Sequence, residues 1–148
     1  MKNENRLIGI DIRVVACIES LAEKVMKQLG RELIIIFGYR SLEAQANLYA
    51  QGRSAPGKIV TRAMAGQSPH NFNCAIDTWI MSEDGSSIDW NNSEFIDILR
   101  SHATSVSNKI TWGGNFQSLS DMPHWELKSW RMVRAKVEKI IPNTINNN

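Results

Sequence analysis

An apolar run in this sequence has a carboxylate in its middle. The segment NCAIDTWI, residues 73–80, is short and rich in apolar and β-branched residues, which predicts a strand with Asp77 inside it. A buried carboxylate without a partner is costly, so the fold has to bring a cation or strong hydrogen-bond donors to Asp77. His70 precedes Asp77 in the stretch SPHNFNCAID, residues 68–77. Imidazole nitrogen and carboxylate oxygen both bind zinc readily.

A third candidate ligand lies in the distant segment DMPHWEL, residues 121–127, where His124 follows Asp121 by three positions. Together, His70, Asp77 and His124 supply the three protein ligands that catalytic zinc sites use, with the fourth position open for water. A carboxylate near a zinc-bound water is the expected general base, and Asp121 fits that role. Taken alone, a His–x6–Asp pair often occurs by chance, and a pair without metal function is the alternative.

Cysteine is also a good zinc ligand, and Cys74 lies in the same segment as Asp77. Alternation along a strand puts Asn73, Ala75 and Asp77 on one face and Cys74 on the other, so we expect that Cys74 is not a ligand. We expect Cys17 and Cys74 to be two free, buried thiols, which is the default in a reducing compartment.

The composition excludes several classes of protein. Of the 148 residues, 43% are hydrophobic and 22% are charged, and the net charge of +2 is too small to indicate a nucleic-acid partner. The longest apolar runs, such as LIIIF at 33–37, are far shorter than a membrane span, so we expect no stable membrane insertion. The polar N-terminus lacks the apolar region of a signal peptide. We therefore expect synthesis in a host cytoplasm.

Periodic segments predict one α+β domain over residues 1–148, with a core at about 8–141 and a flexible tail at 142–148. Helical patterns extend from Asp11 to Gly30, from the capping residue Ser41 onward, through NSEFIDILRSHA (92–103), and from about Lys128 to Pro142. Short apolar runs predict the strands ELIIIFG (32–38), NCAIDTWI (73–80), KITW (109–112) and PHWEL (123–127). The glycine- and proline-containing residues 52–69 predict a long functional loop.

The joint pattern S-x-H-x-x-x-x-A-x-D followed by D-x-P-H resembles a family of zinc peptidases. This family includes bacterial D-alanyl-D-alanine carboxypeptidases and dipeptidases, and phage L-alanyl-D-glutamate peptidases. Residues 37–53, 56–71 and 112–116 resemble the phage endolysin branch, so that the resemblance covers most of residues 33–127. It implies a small antiparallel sheet that carries the zinc site and is flanked by helices.

The resemblance also implies a role for each matching residue. His70, Asp77 and His124 would bind zinc. Asp121 would accept a proton from the zinc-bound water and pass it to the leaving amine. Arg40 would hold the substrate carbonyl as it becomes an oxyanion, which is chemically reasonable because a metal and a fixed guanidinium both stabilise developing negative charge. Without the motif, a surface ion pair would be the simpler reading of Arg40.

Two further side chains are candidates for supporting roles, and one position departs from the family. Ser68 and Glu126 are expected to hydrogen-bond either the substrate or a ligand, Glu126 because it shares a strand with His124. The family usually has glycine where this chain has Asn73. Asparagine tolerates the left-handed region well, so we expect the site to be retained at a cost of about 1 kcal/mol.

The remaining histidine and the tryptophans are expected to have no part in the chemistry. His102 lies in a polar helical segment and is expected to be exposed to solvent. The large apolar rings of Trp112, Trp125 and Trp130 are expected in the core.

The ligand pattern predicts a zinc enzyme, and the resemblance implies a peptidoglycan endopeptidase that cleaves the stem peptide at the L-Ala–D-Glu bond. The resemblance implies a phage lysis enzyme, which we expect to be a monomer and to reach the cell wall after the inner membrane is permeabilised. A D,D-carboxypeptidase or D-Ala-D-Ala dipeptidase on the same fold is the first alternative, because the metal ligands do not choose the bond. A non-catalytic zinc-containing cell-wall-binding module is the second. Asp121 and Arg40 argue against it, because a structural zinc site needs neither.

Overall fold

The computed structural model describes residues 1–140, and the predicted helix end at Pro142 and the predicted tail at 142–148 lie outside the described residues. The helices are α1 (Ile12–Leu29), α2 (Leu42–Ala50), α3 (Ser93–Val106) and α4 (Trp130–Ile140). The strands are β1 (Leu33–Phe37), β2 (Ala75–Ile80), β3 (Ile110–Trp112) and β4 (His124–Leu127). This architecture confirms the predicted α+β class. Within residues 1–140, no helix combines the length and the apolar character needed to cross a membrane.

The four strands form one antiparallel sheet in the order β1-β2-β4-β3. Strand β2 is therefore central, with β1 on one side and β4 on the other. In this register Asp77 lies directly opposite His124 on β4 and pairs with Phe37 on β1, after a shift in the β1 register. Residues directly opposite each other on antiparallel strands have Cβ atoms about 5 Å apart. Strand pairing alone thus makes two of the predicted ligands neighbours.

The core is formed by the sheet and by α1 and α3, which contact each other. Of the five apolar positions that predict α1, Leu29 is partly buried and the other four are buried: Val14, Ile18, Leu21 and Val25. The side chain of Asp11 accepts a hydrogen bond from the backbone N–H of Arg13, and Gly30 ends the helix in the left-handed conformation. The three tryptophans are buried as predicted: Trp112, Trp125 and Trp130. Cys17 and Cys74 are free and buried, as predicted.

The predicted exposure of His102 is wrong. Its side chain is 0% exposed, because α1 covers the face of α3 that carries it. The ring lies 5.5 Å from the Trp125 ring, and its Nε2 donates a hydrogen bond to the carbonyl oxygen of Cys17 at 2.9 Å. Burial lowers the pKa of His102 below its ordinary value of 6.5, since the charged ring would lose its hydration.

This burial predicts a pH-dependent stability. Because the pKa of His102 is lower in the folded chain than in the unfolded chain, the unfolded chain binds more protons below about pH 6.5. The contribution of His102 to the free energy of unfolding is therefore expected to fall as the pH is lowered through that value. The measurement is urea denaturation of the metal-free protein from about pH 8 to about pH 5. The free energy of unfolding of the wild type minus that of His102→Gln should decrease as the pH is lowered, and parallel curves would contradict the prediction.

Candidate metal centre

Three donor atoms converge at one edge of strands β2 and β4. Nδ1 of His124 lies 2.9 Å from Oδ1 of Asp77, and Nε2 of His70 lies 3.3 Å from the same oxygen. The two imidazole nitrogens are 3.2 Å apart. The structure thus brings together the three residues predicted from the sequence, with ligand atoms all within 4.8 Å of one another. Two imidazole nitrogens and one carboxylate oxygen fit a catalytic zinc ion, which leaves a coordination position open.

His70 is held by a short 3₁₀ turn, Pro69–Phe72. The hydroxyl of Ser68 caps this turn by accepting from the backbone N–H of His70 at 3.4 Å. Asn73 ends the turn with a φ of 56°, so the left-handed conformation expected at this position is present. Nδ1 of His70 donates to the carbonyl oxygen of Gly38 at 2.7 Å. Since a carbonyl can only accept, Nδ1 carries a proton, and Nε2 is the nitrogen that faces the other two ligands.

His124 faces the cluster with its other nitrogen. Its Nε2 donates to Oε2 of Glu126 at 3.1 Å, which turns Nδ1 toward Asp77 and His70. The two residues share a face of β4, as expected from strand alternation. Glu126 was predicted to hydrogen-bond either the substrate or a ligand, and its hydrogen bond to His124 is a contact of the second kind. The nearby ring of Phe116 lies 5.9 Å from the His124 ring and covers it on one side.

The charges of the cluster depend on one another. Burial raises the pKa of Asp77, but hydrogen bonds from His124 and His70 outweigh it and hold this pKa well below its usual range. Burial lowers the pKa of His124, whereas hydrogen bonds to Asp77 and Glu126 raise it to about 9. Without a metal, His124 is therefore protonated at neutral pH. Metal binding has to displace a proton from its Nδ1, and metal affinity rises with pH.

Asp121 lies in the turn that leads into β4. Its carbonyl oxygen accepts from the backbone N–H of His124 at 3.1 Å, and its own N–H donates to the carbonyl oxygen of Gly113 at 3.0 Å. A side chain at Gly113 would overlap the backbone of Asp121, so this turn requires glycine there. Although Asp121 is partly exposed to solvent, desolvation of its carboxylate raises its pKa, the charge of His124 acts against this, and the charge of Asp77 adds to it. A raised pKa makes a carboxylate a better proton acceptor.

Arg40 extends toward the cluster from the segment between β1 and α2. Its Nη2 lies 3.8 Å from Oδ2 of Asp77, and its side chain is 16% exposed. The backbone of Arg40 is fixed, because its N–H donates to the carbonyl oxygen of His70 at 3.1 Å. Its carbonyl oxygen accepts from the side chain of Asn71 at 2.8 Å. The guanidinium also lies over the ring of Phe37. Arg40 is thus tied to the same turn as His70 and is not a free surface side chain.

Cys74 is not part of the cluster. Its thiol donates to the carbonyl oxygen of Phe72 at 3.2 Å, away from the ligand atoms. Burial raises the pKa of this thiol to about 11, which disfavours the thiolate that a metal would need. The expectation that Cys74 does not bind the metal agrees with this geometry.

The site includes three residues that the sequence analysis did not identify: Gly38, Gly113 and Gln45. The first two act through backbone carbonyl groups. Every residue has such a group, so the residue type does not indicate this role. Two glycines do occur together in WGGNF, residues 112–116, and a tight backbone approach could have been inferred there. Gln45 shares helix α2 with two other polar residues, Glu43 and Asn47, and nothing in its spacing distinguishes it from them.

Gly38→Ala is expected to weaken metal binding by about 10- to 100-fold, the usual effect of disturbing the group that orients a ligand. A side chain at Gly38 would overlap the carbonyl oxygen of Arg6, so the backbone has to move. The Gly38 carbonyl would then lose its 2.7 Å bond to His70. The measurement is the zinc dissociation constant by competition with a chelator.

Gly30→Ala is the matched control. Gly30 has a φ of 63° and open space around it, so an added Cβ strains the backbone by about 1 kcal/mol without touching the site. It should lower the melting temperature and leave zinc affinity unchanged. Equal zinc affinities for the two variants would contradict the role of the Gly38 carbonyl.

Comparison with known proteins identifies relatives of this fold and sequence. Residues 8–127 match the family described as VanY: D-alanyl-D-alanine carboxypeptidase. The peptidoglycan L-alanyl-D-glutamate endopeptidase CwlK of Bacillus subtilis (strain 168) is 37% identical over 103 residues, which are 66% of this chain and 62% of the relative. The chain thus spans less than two thirds of that relative's length.

Two solved structures share the fold. The L-Ala D-Glu endopeptidase ChiX of Serratia marcescens has a TM-score of 0.60 at 19% identity, covering 89% of this chain and 90% of that one. The vancomycin resistance D,D-dipeptidase VanXYg, in complex with a D-Ala-D-Ala phosphinate analog, has a TM-score of 0.56 at 18% identity, covering 92% and 56%. At these identities the likeness shows the fold alone.

Proposed function

Because the chain belongs to the VanY family of D-alanyl-D-alanine carboxypeptidases, we propose that it is a zinc-dependent peptidoglycan endopeptidase that cleaves the stem peptide at the L-Ala–D-Glu bond. The observation that carries the proposal is the convergence of His70, Asp77 and His124 next to Asp121 and Arg40. This set combines a three-ligand metal site with a proton acceptor and a fixed positive charge. Residues 1–148 are proposed to form one peptidase domain, and the family match over 8–127 supports this.

The chemistry follows from what each group can donate or accept. A zinc ion bound by the three ligands would supply Lewis-acid polarisation and acidify a water molecule. The Asp121 carboxylate accepts the proton of the attacking water and then delivers it to the nitrogen of the leaving amine. The Arg40 guanidinium donates N–H groups to the substrate carbonyl oxygen as it becomes negative. Glu126 and the Gly38 carbonyl hold the two imidazoles in the required orientation.

The choice of bond rests on the similarity to CwlK, whose name specifies L-alanyl-D-glutamate cleavage. The family description instead names D-alanyl-D-alanine carboxypeptidase, so cleavage of the terminal D-Ala is the competing activity. A non-catalytic wall-binding module is disfavoured, because such a module has no use for Asp121 or for a guanidinium 3.8 Å from a metal ligand.

The test is digestion of purified peptidoglycan by the zinc-loaded protein, with the new termini identified by mass spectrometry. Cleavage at L-Ala–D-Glu is expected to produce free amino groups on D-Glu and free carboxyl groups on L-Ala. Release of D-Ala alone would replace the proposal with a carboxypeptidase. Binding to peptidoglycan without any new terminus would favour the non-catalytic module.

The biological role proposed for this activity is phage lysis. The support is the resemblance of residues 37–53, 56–71 and 112–116 to the endolysin branch. The enzyme would be made in the host cytoplasm and act on the cell wall after the inner membrane has been permeabilised. Expression of the chain in bacteria should therefore cause lysis when a separate membrane-permeabilising protein is induced, and none before. Asp121→Asn is the control, since it should leave the cells intact in both states.

A further inference from the structure

Helix α2 buries a polar side chain and no apolar one. Gln45 is 0% exposed, whereas the other residues of Leu42–Ala50 are partly or fully exposed. A helix on a protein surface is normally held by a buried apolar stripe. Burying an amide without partners destabilises the folded chain, so the burial of Gln45 has to be explained by its hydrogen bonds.

Both ends of the Gln45 amide are used. Oε1 accepts a hydrogen bond from Nη1 of Arg40 at 3.0 Å, and Nε2 donates to the carbonyl oxygen of Ala63 at 2.8 Å. The other guanidinium nitrogen of Arg40, Nη2, faces Asp77 at 3.8 Å. A methionine would fill the same space but could make neither bond. Gln45 therefore connects the guanidinium at the metal centre to the loop that contains Ala63.

Hydrogen bonds from Arg53 hold this loop against α2, so the position of the loop relative to Gln45 is fixed. One guanidinium nitrogen of Arg53 donates to the carbonyl oxygen of Tyr49 at 2.6 Å, and the other donates to the carbonyl oxygen of Thr61 at 3.1 Å. The same guanidinium lies 3.9 Å from the centre of the Tyr49 ring. Arg53 thus fixes the loop at Thr61, two residues before Ala63. The carbonyl group of Ala63 can therefore hold the Gln45 amide in one orientation.

We propose that Gln45 is a positioning residue that fixes the direction of the Arg40 guanidinium toward the metal centre. The inference rests on the proposed function, in which Arg40 binds the developing oxyanion. An arginine side chain loses rotamer entropy when it is fixed, and a hydrogen-bond acceptor that already holds it reduces the part of this entropy that is lost during the reaction. The affinity for the substrate would gain little from this. The carbonyl oxygen is most negative in the transition state, so the Arg40 guanidinium stabilises that state more than the bound substrate.

The test compares Gln45→Met with the wild type and with Gln28→Met, a control on the exposed side of α1. Gln45→Met is expected to lower kcat on a soluble stem peptide by about 10- to 100-fold, less than the loss of a whole oxyanion donor, with KM and zinc affinity unchanged. The ¹⁵N NMR signal of the Arg40 side chain should broaden or disappear. Gln28→Met should match the wild type. Should Gln45→Met fail to fold, Gln45→Asn replaces it, since the shorter amide cannot reach Arg40 and Ala63 together.

A double-mutant cycle with Arg40→Met tests whether Gln45 acts through Arg40. If it does, the double variant should lose no more kcat than Arg40→Met alone. Losses that multiply would overturn the proposal, as would a folded Gln45→Met with wild-type kcat or with an intact Arg40 signal. If the wild type produces no new termini from peptidoglycan, the proposed function fails. The Arg40 signal then still tests Gln45: its loss in the variant supports the positioning role, and its persistence overturns it.

Discussion

Asp121→Asn is expected to keep zinc and the fold and to lower kcat by about 100-fold or more, the usual scale for general acid–base catalysis. Asparagine has the size of aspartate but is not a useful base. The backbone bonds that place Asp121, to Gly113 at 3.0 Å and to His124 at 3.1 Å, do not involve its side chain and are retained. Zinc content and kcat on a soluble stem peptide are the two measurements.

The control for this charge change is Asp97→Asn on the exposed surface of α3, where the carboxylate is 74% exposed and pairs with Arg100. It should behave like the wild type, because exposed ion pairs contribute little. Loss of zinc from Asp121→Asn would make Asp121 a ligand instead of a base. Full activity would assign the proton transfer to another group, and Glu126 would be the first to replace.

The parts of this structure that could be predicted from the sequence are those decided by nearby residues. Asp11 and Ser41 cap α1 and α2 with their own side chains, and Asn73 takes the left-handed conformation that few other residues tolerate. Asp77 was informative for a different reason. A carboxylate in a buried strand needs a partner wherever that partner lies in the chain, and this requirement pointed to distant histidines.

The parts that could not be predicted depend on what packs over an element. The polar residues around His102 are typical of an exposed helix face, yet α1 lies against that face and buries the ring. Gln45 was equally hard to predict, because a glutamine in a short surface helix is normally solvated. The Gly38 carbonyl shows the limit most clearly. Its role depends on the positions that the backbone of Arg6 and the ring of His70 take in the folded chain. Because Gly38 acts through its backbone, its residue type does not indicate this role.

His124→Ala is expected to lose zinc and activity together, in contrast to Asp121→Asn. Removing Nδ1 leaves two of the three protein ligands, and the metal then has too few donors to compete with water and buffer. The change also removes the strongest hydrogen bond to Asp77, whose Oδ1 lies 2.9 Å from His124. Asp77, which is only 14% exposed in the wild type, then keeps His70 and Arg40 as its remaining partners, so the metal-free variant is expected to be less stable than the metal-free wild type.

His102→Gln is the matched control, because it replaces a buried histidine outside the site. Metal analysis after dialysis should find about one zinc per chain in the wild type and in this control, and almost none in His124→Ala. Activity should follow the zinc content in all three proteins. Retention of zinc by His124→Ala would show that another residue replaces Nδ1, and Glu126, which accepts from the opposite nitrogen of His124 at 3.1 Å, is the carboxylate nearest to that role. Loss of activity with zinc retained would instead give His124 a part in the chemistry beyond holding the metal.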